Sequence, residues 1–206
     1  MTSILKVDEL QDSSGNLIIK EVANAITIGA SGDTIAVGTG ATNNLGITVA
    51  DQWRLSASLT GVTSQYITAN LEQIDSSGQG TLGSAMTESS GVFTFPSTGI
   101  YLVSYTFLCS GTVTPSSNWD GFVNPEIHVT TNNSAYASVS IGYAGLFDMG
   151  GNTGGNGTMT QTLIDVTDTS NVKVKFYVNS LVATTTIRGE TDQTATGMTF
   201  IRLGDT

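Results

Sequence analysis

Cysteine, proline and positive charge are all scarce in this sequence. The 206 residues include one cysteine, three prolines, one histidine, and seven lysines and arginines against seventeen acidic residues, so the formal net charge is −10. A single cysteine excludes an intramolecular disulfide, and we expect a fold that does not depend on an oxidising compartment. Because phosphate binding needs a basic face, we expect no nucleic-acid partner and no contact with anionic membranes.

Long apolar runs are absent as well. No segment approaches the roughly 18 apolar residues of a membrane span, and the N-terminus lacks the apolar segment after basic residues that marks a signal peptide. We therefore expect a chain that is made in a cytoplasm, is soluble there and does not insert into a membrane. Charged residues make up only 12% of the sequence while glycine is frequent at 24 residues, which favours short strands and tight turns over helices.

The longest apolar stretch that is present is Gly91–Cys109, which reads GVFTFPSTGIYLVSYTFLC. After its corner at Pro96–Gly99 both alternating phases are apolar, one beginning at Ile100 and the other at Tyr101. A strand that is apolar on both faces is covered on both sides. One cover is the opposite sheet of a sandwich, and we predict that the second is another subunit. The residues predicted to lie at that interface are Ile100, Leu102, Tyr105 and Phe107.

Residues 1–50 have a different sequence pattern from the rest of the chain. Two short apolar segments flank a turn at residues 12–16, and three pairs of Ile or Val follow between Gly-rich turns. Each piece is too short to bury a face alone. We therefore interpret 1–50 as an intersubunit or docking arm of short β-strands that becomes ordered on assembly, with a flexible tail as the alternative. The residues predicted to make the docking contacts are Ile4, Val7, Leu17 and Ile19.

From Asp51 onwards the pattern becomes regular. About ten short segments alternate between apolar and polar residues, with turn signals between them and no helical periodicity longer than a turn. This pattern predicts an all-β domain at 51–206, an antiparallel sandwich or barrel.

Two long loops carry the candidate binding residues. Ser110–Asn124 holds aromatic residues among small polar ones, and Leu146–Gly157 consists largely of glycine and polar residues. Loops on a rigid β scaffold are common binding sites, but packing over the end of the barrel or against a neighbour explains these residues equally well. The candidate binding residues are Trp119, Phe122, Phe147 and Met149.

Catalytic and metal-binding patterns are missing. The lone histidine, His128, lies in a polar phase and is expected to face solvent or a subunit contact. There is no G-x-S-x-G motif, and the turn at 38–40 lacks the third glycine and the lysine of a phosphate-binding loop. Several aspartates offer oxygen ligands suited to Ca²⁺ but without the spacing of a calcium loop, namely Asp120, Asp148, Asp165, Asp168 and Asp192. We therefore predict a non-enzymatic protein without a cofactor.

The stretch Gly91–Tyr105, with its Phe before a Pro-x-x-Gly corner followed by Tyr and alternating aromatics, resembles the signature of the globular head of complement component one, q subcomponent. Gly197–Gly204 resembles the last strand of that complement and tumour necrosis factor-like family, and Trp53–Leu59 stands where its first strand is expected. The resemblance covers roughly 51–206 and implies a ten-stranded jelly roll that forms tight trimers, some of which hold calcium near the trimer axis. The sequence departs from the family at the Gly-rich loop 150–157 and lacks a collagen-like stalk.

The arm has a different resemblance. Residues 1–21, MTSILKVDELQDSSGNLIIKE, and residues 26–41, ITIGASGDTIAVGTGA, are similar to the N-termini of structural proteins of tailed bacteriophages, particularly marine ones. The resemblance implies attachment to a virion assembled in the bacterial cytoplasm. The expected function is a homotrimeric virion surface protein, a capsid decoration or head appendage that docks on other virion proteins through its arm. The alternative is the tip of a short tail fibre that binds a host receptor or glycan.

Overall fold

The computed structural model describes residues 9–15, 17–22, 25–28, 31–34, 46–113, 121–147, 149–180, 182 and 184–206. The chain divides into two compact units, Met1–Asn44 and Leu45–Thr206. Strands and turns make up the described part of both units, and none of the described residues forms a helix that is long and apolar enough to cross a membrane.

The first unit is a small antiparallel sheet. Its strands are β1 Glu9–Gln11, β2 Leu17–Val22 and β3 Ala25–Ile28, in that spatial order. In the turn between β1 and β2 the amide of Gly15 donates to the carbonyl of Asp12 and Gly15 has a positive φ of 82°, a conformation that glycine adopts without strain. The short strands predicted for the arm are therefore present in the described part of this unit.

One row of side chains crosses this sheet. Leu10 pairs with Ile19 and Ile19 with Ile28, so the three share one face, and all three are exposed. Ile18 lies on the opposite face, because neighbouring residues of a strand point to opposite sides. Of the predicted docking residues, Ile19 is in the exposed row. Ile4, Val7 and the side chain of Leu17 lie outside the described residues.

The second unit is a two-sheet antiparallel sandwich of fourteen described strands. These strands are β4 Val49–Leu55, β5 Leu59–Val62, β6 Gln65–Tyr66, β7 Leu71–Gln73, β8 Thr87–Ser89, β9 Val92–Thr94, β10 Gly99–Gly111, β11 Gly121–Thr130, β12 Ala137–Ile141, β13 Ala144–Leu146, β14 Gly154–Val166, β15 Lys173–Ser180, β16 Thr185–Ile187 and β17 Gly197–Gly204.

Each sheet is built around one long central strand. In sheet one, β10 pairs with β14 along one side and with β17 and then β16 along the other, and β4, β7 and β5 extend the sheet outward. In sheet two, the order is β12-β11-β15-β9-β8, with β13 beside β11 and β6 beside β15. The chain passes repeatedly between the two sheets, which is a jelly-roll path. The crossings are β5–β6, β6–β7, β7–β8, β9–β10, β10–β11, β13–β14, β14–β15 and β15–β16. The predicted all-β antiparallel jelly roll is confirmed.

The sandwich begins earlier than the sequence pattern indicated. Val49 is buried and opens β4 opposite Arg202 of β17. Residues from Leu45 onward therefore belong to the second unit, whereas the pattern assigned everything up to residue 50 to the arm. The Ile and Val pairs before residue 50 look alike in sequence, and only their pairing partners distinguish them.

The core lies between the two sheets and is rich in aromatic rings. Tyr105 packs 5.0 Å from Phe176, measured between ring centroids, and Phe93 packs 5.2 Å from Phe200. Tyr105 and Phe107 belong to the phase of β10 that faces this core, and both are fully buried within the single chain. The prediction that these two residues contact another subunit is therefore wrong, because alternation along the strand turns them towards the opposite sheet.

The single cysteine lies in the same strand. Cys109 is buried, and burial raises the pKa of its thiol to about 11, although a bond to the carbonyl oxygen of Asn156 acts in the opposite direction. The thiol therefore stays protonated at neutral pH and behaves as a small apolar side chain.

Candidate functional site

The outer face of sheet one carries an apolar band. Leu102 on β10 lies directly between Leu163 on β14 and Ile201 on β17. Leu163 is 62% exposed and Met159, also on β14, is 58% exposed. Ile100 and Leu102, both predicted to lie at a subunit interface, are half-buried in this band. We call the band the subunit face and define it by Ile100, Leu102, Met159, Leu163, Ile201 and Leu203.

A second exposed apolar group lies at one end of sheet two. Phe122 on β11 pairs with Gly145 on β13, and its ring centroid lies 6.4 Å from that of Tyr143. The ring of Phe147 lies over Gly145, where an added Cβ would be 3.4 Å from its edge. Tyr143 is 66% exposed and Phe147 60% exposed. We call the group the distal aromatic patch and define it by Phe122, Tyr143, Phe147 and Met149.

The position of this patch follows from the strand register. Val49, where the chain enters the sandwich, pairs with Arg202, which pairs with Tyr101 near the start of β10. The other end of β10 is Gly111, which pairs with Gly154, and the sulfur of Met149 would lie 3.2 Å from a Cβ at Gly154. The patch is therefore at the end of the sandwich opposite the entry of the chain.

Three of the four predicted binding residues meet in this patch, and one residue was missed. Phe122, Phe147 and Met149 come together although they stand in two different loops of the sequence, and Trp119 lies outside the described residues. The missed residue is Tyr143, which continues the alternation of apolar and polar residues from Ala137 and therefore looks like an ordinary strand residue in the sequence. Two glycines, Gly142 and Gly145, flank Tyr143 and Ala144 and are the sequence signal that this segment packs closely against its neighbours. A side chain at Gly142 would crowd Pro125, and one at Gly145 would crowd Phe147.

His128 sits in an aromatic cluster on the outer face of sheet two. Its Nε2 is 2.9 Å from Oε2 of Glu126 and its Nδ1 is 3.0 Å from the hydroxyl of Tyr66. The ring stacks on Tyr177 with centroids 5.0 Å apart. Both bonds are satisfied when Nε2–H donates to the carboxylate and Nδ1 accepts from the phenol. The histidine was expected to face solvent or a subunit contact, but its own chain covers most of it.

The phenol of Tyr66 is the hydrogen-bond donor of this cluster. Burial, and after it the nearby Tyr177 and Glu126, raises the pKa of the Tyr66 phenol above its usual value. A phenol with a raised pKa is a hydrogen-bond donor rather than a nucleophile at neutral pH. Among the described residues, Tyr66 supplies the only hydroxyl bonded to His128. The cluster therefore orders the face of the sheet.

The aspartates considered above as possible oxygen ligands form no metal site in the part of the chain that the structure covers. No group of three His, Cys, Asp or Glu residues there is close enough to hold a metal ion. Asp168 instead caps a turn, where its carboxylate accepts from the amide of Ser170 and the side chain of Asn171 at 2.7 Å each. These bonds hold the pKa of Asp168 below its usual value. Asp120 and Asp148 lie outside the described residues.

Two charged side chains are deeply buried at the start of the sandwich. Asp51 accepts from the indole of Trp53 and the side chain of Gln73, both at 2.9 Å, and from the amide of Met86 at 2.8 Å. Arg54 donates to Glu72 at 3.0 Å and to Asp75 at 3.1 Å. A buried charge that is paired and fully bonded holds its surroundings in one arrangement. The alternation of β4 gave no sign of either network.

Comparison with known proteins bears on the fold. A scan against protein-family models finds no match, and a search of curated proteins finds no significant match. Among solved structures, the chain is similar to the tumour necrosis factor Eiger of S. frugiperda, with a TM-score of 0.51 and 10% identity over 78% of this chain and 95% of that one. Murine APRIL at pH 5.0 aligns with 75% of this chain and 98% of its own, with a TM-score of 0.49 and 6% identity. The likeness to Eiger confirms the predicted tumour necrosis factor-like jelly roll and shows the fold alone.

Proposed function

We propose that the chain is a non-enzymatic, homotrimeric surface protein of a tailed-phage virion, in which the sandwich trimerises and the N-terminal unit docks on the particle. The observation that carries the proposal is the subunit face, an apolar band on a sheet whose other side already covers the core. The phage assignment is supported by the resemblance of residues 1–41 to structural proteins of tailed bacteriophages. The trimer is supported by the resemblance of residues 51–206 to the complement and tumour necrosis factor-like family.

The energetics of the subunit face favour association. Burying one leucine or methionine side chain contributes about 1.5–3 kcal/mol, and Leu163 and Met159 are both more than half exposed in the single chain. The band also lies along β14, which pairs with β10 on one side only in the described sheet. An exposed apolar band at the end of a sheet is prone to associate unless it is covered. A neighbouring subunit supplies that cover.

Sedimentation of the full chain tests the trimer. We expect a species of about three times the 21.4 kDa chain mass. The variant Leu163→Lys places a charge in the subunit face and is expected to shift the protein to monomer. Ile141→Lys is the matched control, since Ile141 is an exposed strand residue of sheet two. A monomeric wild type, or equal effects of the two variants, would refute the proposal.

The exposed row on the first unit supports its docking role. Leu10, Ile19 and Ile28 align across the three strands and leave one face apolar. We expect Ile19→Asp to abolish attachment to purified particles, whereas Ile18→Asp, on the opposite face of the same strand, retains it. Many copies per particle on the shell would indicate a capsid decoration, and a few copies at the tail would indicate a fibre tip. Equal attachment of both variants would count against docking through this row.

The distal aromatic patch favours a second function, recognition of a host receptor or glycan. Four large side chains that include three aromatic rings are exposed together, at the end of the sandwich opposite the chain entry. Exposed aromatic groups of this kind mark interaction sites. We expect Phe147→Ala to reduce binding of the protein to host cells, with Val139→Ala, an exposed residue of β12, as control. Absence of wild-type binding to host cells would exclude this function.

A further inference from the structure

We propose that a groove on the outer face of sheet two binds an acidic saccharide, a sugar ring that carries a carboxylate. The groove has a volume of about 450 Å³ and its floor is formed by Lys173 and Lys175 of β15. The hairpin β8–β9 forms one wall, and the turn between β11 and β12 with Tyr136 forms the other. It lies on the sheet opposite the subunit face, so the proposal depends neither on the trimer nor on the docking unit.

The cations of the groove stand out in an acidic chain. Among the described residues, Arg54 is paired with Glu72 and Asp75, and Arg202 with Asp205. Lys173 and Lys175 have no carboxylate within ion-pair distance there, although they project from one face of the same strand. Two neighbouring ammonium groups that form no ion pair with the protein can bind an anion.

One of these ammonium groups is held in place by aromatic rings. Nζ of Lys175 lies 4.4 Å from the ring centroid of Tyr136 and 5.0 Å from that of Tyr66. Tyr66 is in turn hydrogen-bonded to His128. The aromatic cluster around His128 therefore helps to position the ammonium group of Lys175. Cation–π contacts of this kind leave the N–H donors of the ammonium available to a ligand. The lysine is therefore placed before any ligand arrives.

Both walls are fixed by local hydrogen bonds. The Asn132 side chain accepts from the amides of Ser134 and Ala135 at 3.0 and 2.9 Å, which holds the turn. On the other wall Oε1 of Glu88 accepts from the amide of Gly91 at 2.6 Å. A site whose groups are ordered in advance loses less entropy on binding.

The remaining lining selects a sugar over a simple anion. Hydroxyl and amide groups predominate, and they are contributed by Thr87, Ser89, Thr94, Asn133, Ser134 and Tyr136. The carboxylate of Glu88 also lines the groove and has room to accept further bonds, which suits sugar hydroxyls as donors. A phosphate or sulfate ion would pair with the lysines but carries no set of hydroxyl donors to offset its repulsion by Glu88. A carboxylated sugar satisfies both, because it carries an anionic group together with hydroxyl donors.

Ligand titrations of the full chain followed by NMR test the proposal. The probes are D-glucuronate, D-galacturonate and N-acetylneuraminate, with D-glucose and D-galactose as neutral counterparts and inorganic phosphate as the simple anion. We expect at least one acidic sugar to bind more tightly than its neutral counterpart and than phosphate. Lys175→Met and Lys173→Met are expected to weaken that binding about tenfold or more, the effect of losing a charge-assisted hydrogen bond.

Arg188→Gln is the matched control, because it removes one exposed cation that does not line this groove. It is expected to leave the affinity unchanged, and thermal unfolding confirms that each variant is folded. The proposal is overturned if no acidic sugar binds, if phosphate binds as tightly as the sugars, or if Arg188→Gln weakens binding as much as the lysine variants.

Discussion

The variant Tyr105→Phe is expected to stabilise this protein although it removes a polar atom from the core. Tyr101 and Tyr105 stand four residues apart on β10, and both are fully buried. The Tyr101 hydroxyl donates to the carbonyl of Ser97 at 3.1 Å and lies 3.0 Å from its side-chain oxygen. The Tyr105 hydroxyl has no hydrogen-bond partner among the described residues. Burial raises the pKa of Tyr105 well above its usual value, so the group stays protonated.

The size of the effect follows from the cost of an unpaired buried group. Leaving a buried hydroxyl without a partner costs about 1–3 kcal/mol, and phenylalanine keeps the ring contacts with Phe107 and Phe176. We expect Tyr105→Phe to raise the free energy of unfolding by about 1–2 kcal/mol. Tyr101→Phe, which loses a bonded hydroxyl, is expected to lower it by about 1 kcal/mol. Tyr105→Ala removes the ring and is expected to lower it by about 3–5 kcal/mol.

Urea denaturation measures all three variants. The change in midpoint gives the change in free energy when the slope m is unchanged. Protein concentration has to be equal throughout, because the stability of an oligomer depends on it. If Tyr105→Phe is less stable than the wild type, the hydroxyl has a partner such as a buried water, and the reasoning fails.

Three further outcomes are expected. Asp51→Ala leaves the donors of Trp53 and Met86 unpaired and is expected to lower the free energy of unfolding by about 3 kcal/mol in urea denaturation; a change near zero would show that water replaces the carboxylate. Gly91→Ala is expected to prevent soluble expression or to lower the melting temperature strongly, because φ of Gly91 is +81° and the new Cβ would lie 2.3 Å from a backbone oxygen. Gly80→Ala is the control, since its Cβ meets no atom within 4 Å. Equal melting temperatures of the two variants would contradict this prediction. The lowered pKa of Asp168 means that its carboxylate stabilises the fold above the ordinary aspartate pKa of about 3.9 and that this contribution is lost as the pH falls through the folded pKa. Urea midpoints at neutral and acidic pH are expected to fall less in Asp168→Asn than in the wild type, and equal falls would refute the assignment.

The strand pattern predicted the core more reliably than the surfaces. Period-two spacing assigned every second residue from Tyr101 to Phe107 to one face of the strand, and that face lies in the core. The error was to place Tyr105 and Phe107 at a subunit contact together with Ile100 and Leu102, which point the other way. An apolar strand shows that both faces are covered, but its sequence does not show which phase meets the opposite sheet.

The candidate sites depended on contacts between distant segments. Phe122 and Phe147 were recognised as exposed aromatics in loops, but Tyr143 joined them only through the pairing of β11 with β13. The groove with Lys173 and Lys175 on its floor was not predicted at all. Its floor and its two walls, one of which includes Tyr136, come from three separate stretches, and the alternation along β15 shows only that Lys173 and Lys175 face outward.

By itself, the sequence determined the all-β class, the strand phases and the corner at Pro96–Gly99, because these depend on local backbone preference and on alternation along one strand. Only the tertiary structure decided which strands are neighbours, where the sandwich begins and which polar groups are buried. Strand pairing is a long-range choice, and its register brings Leu102 between Leu163 and Ile201, sets Val49 against Arg202, and encloses Asp51 and Arg54. A side chain that is polar in the pattern can therefore be buried, and an apolar one exposed, according to what the rest of the chain places against it.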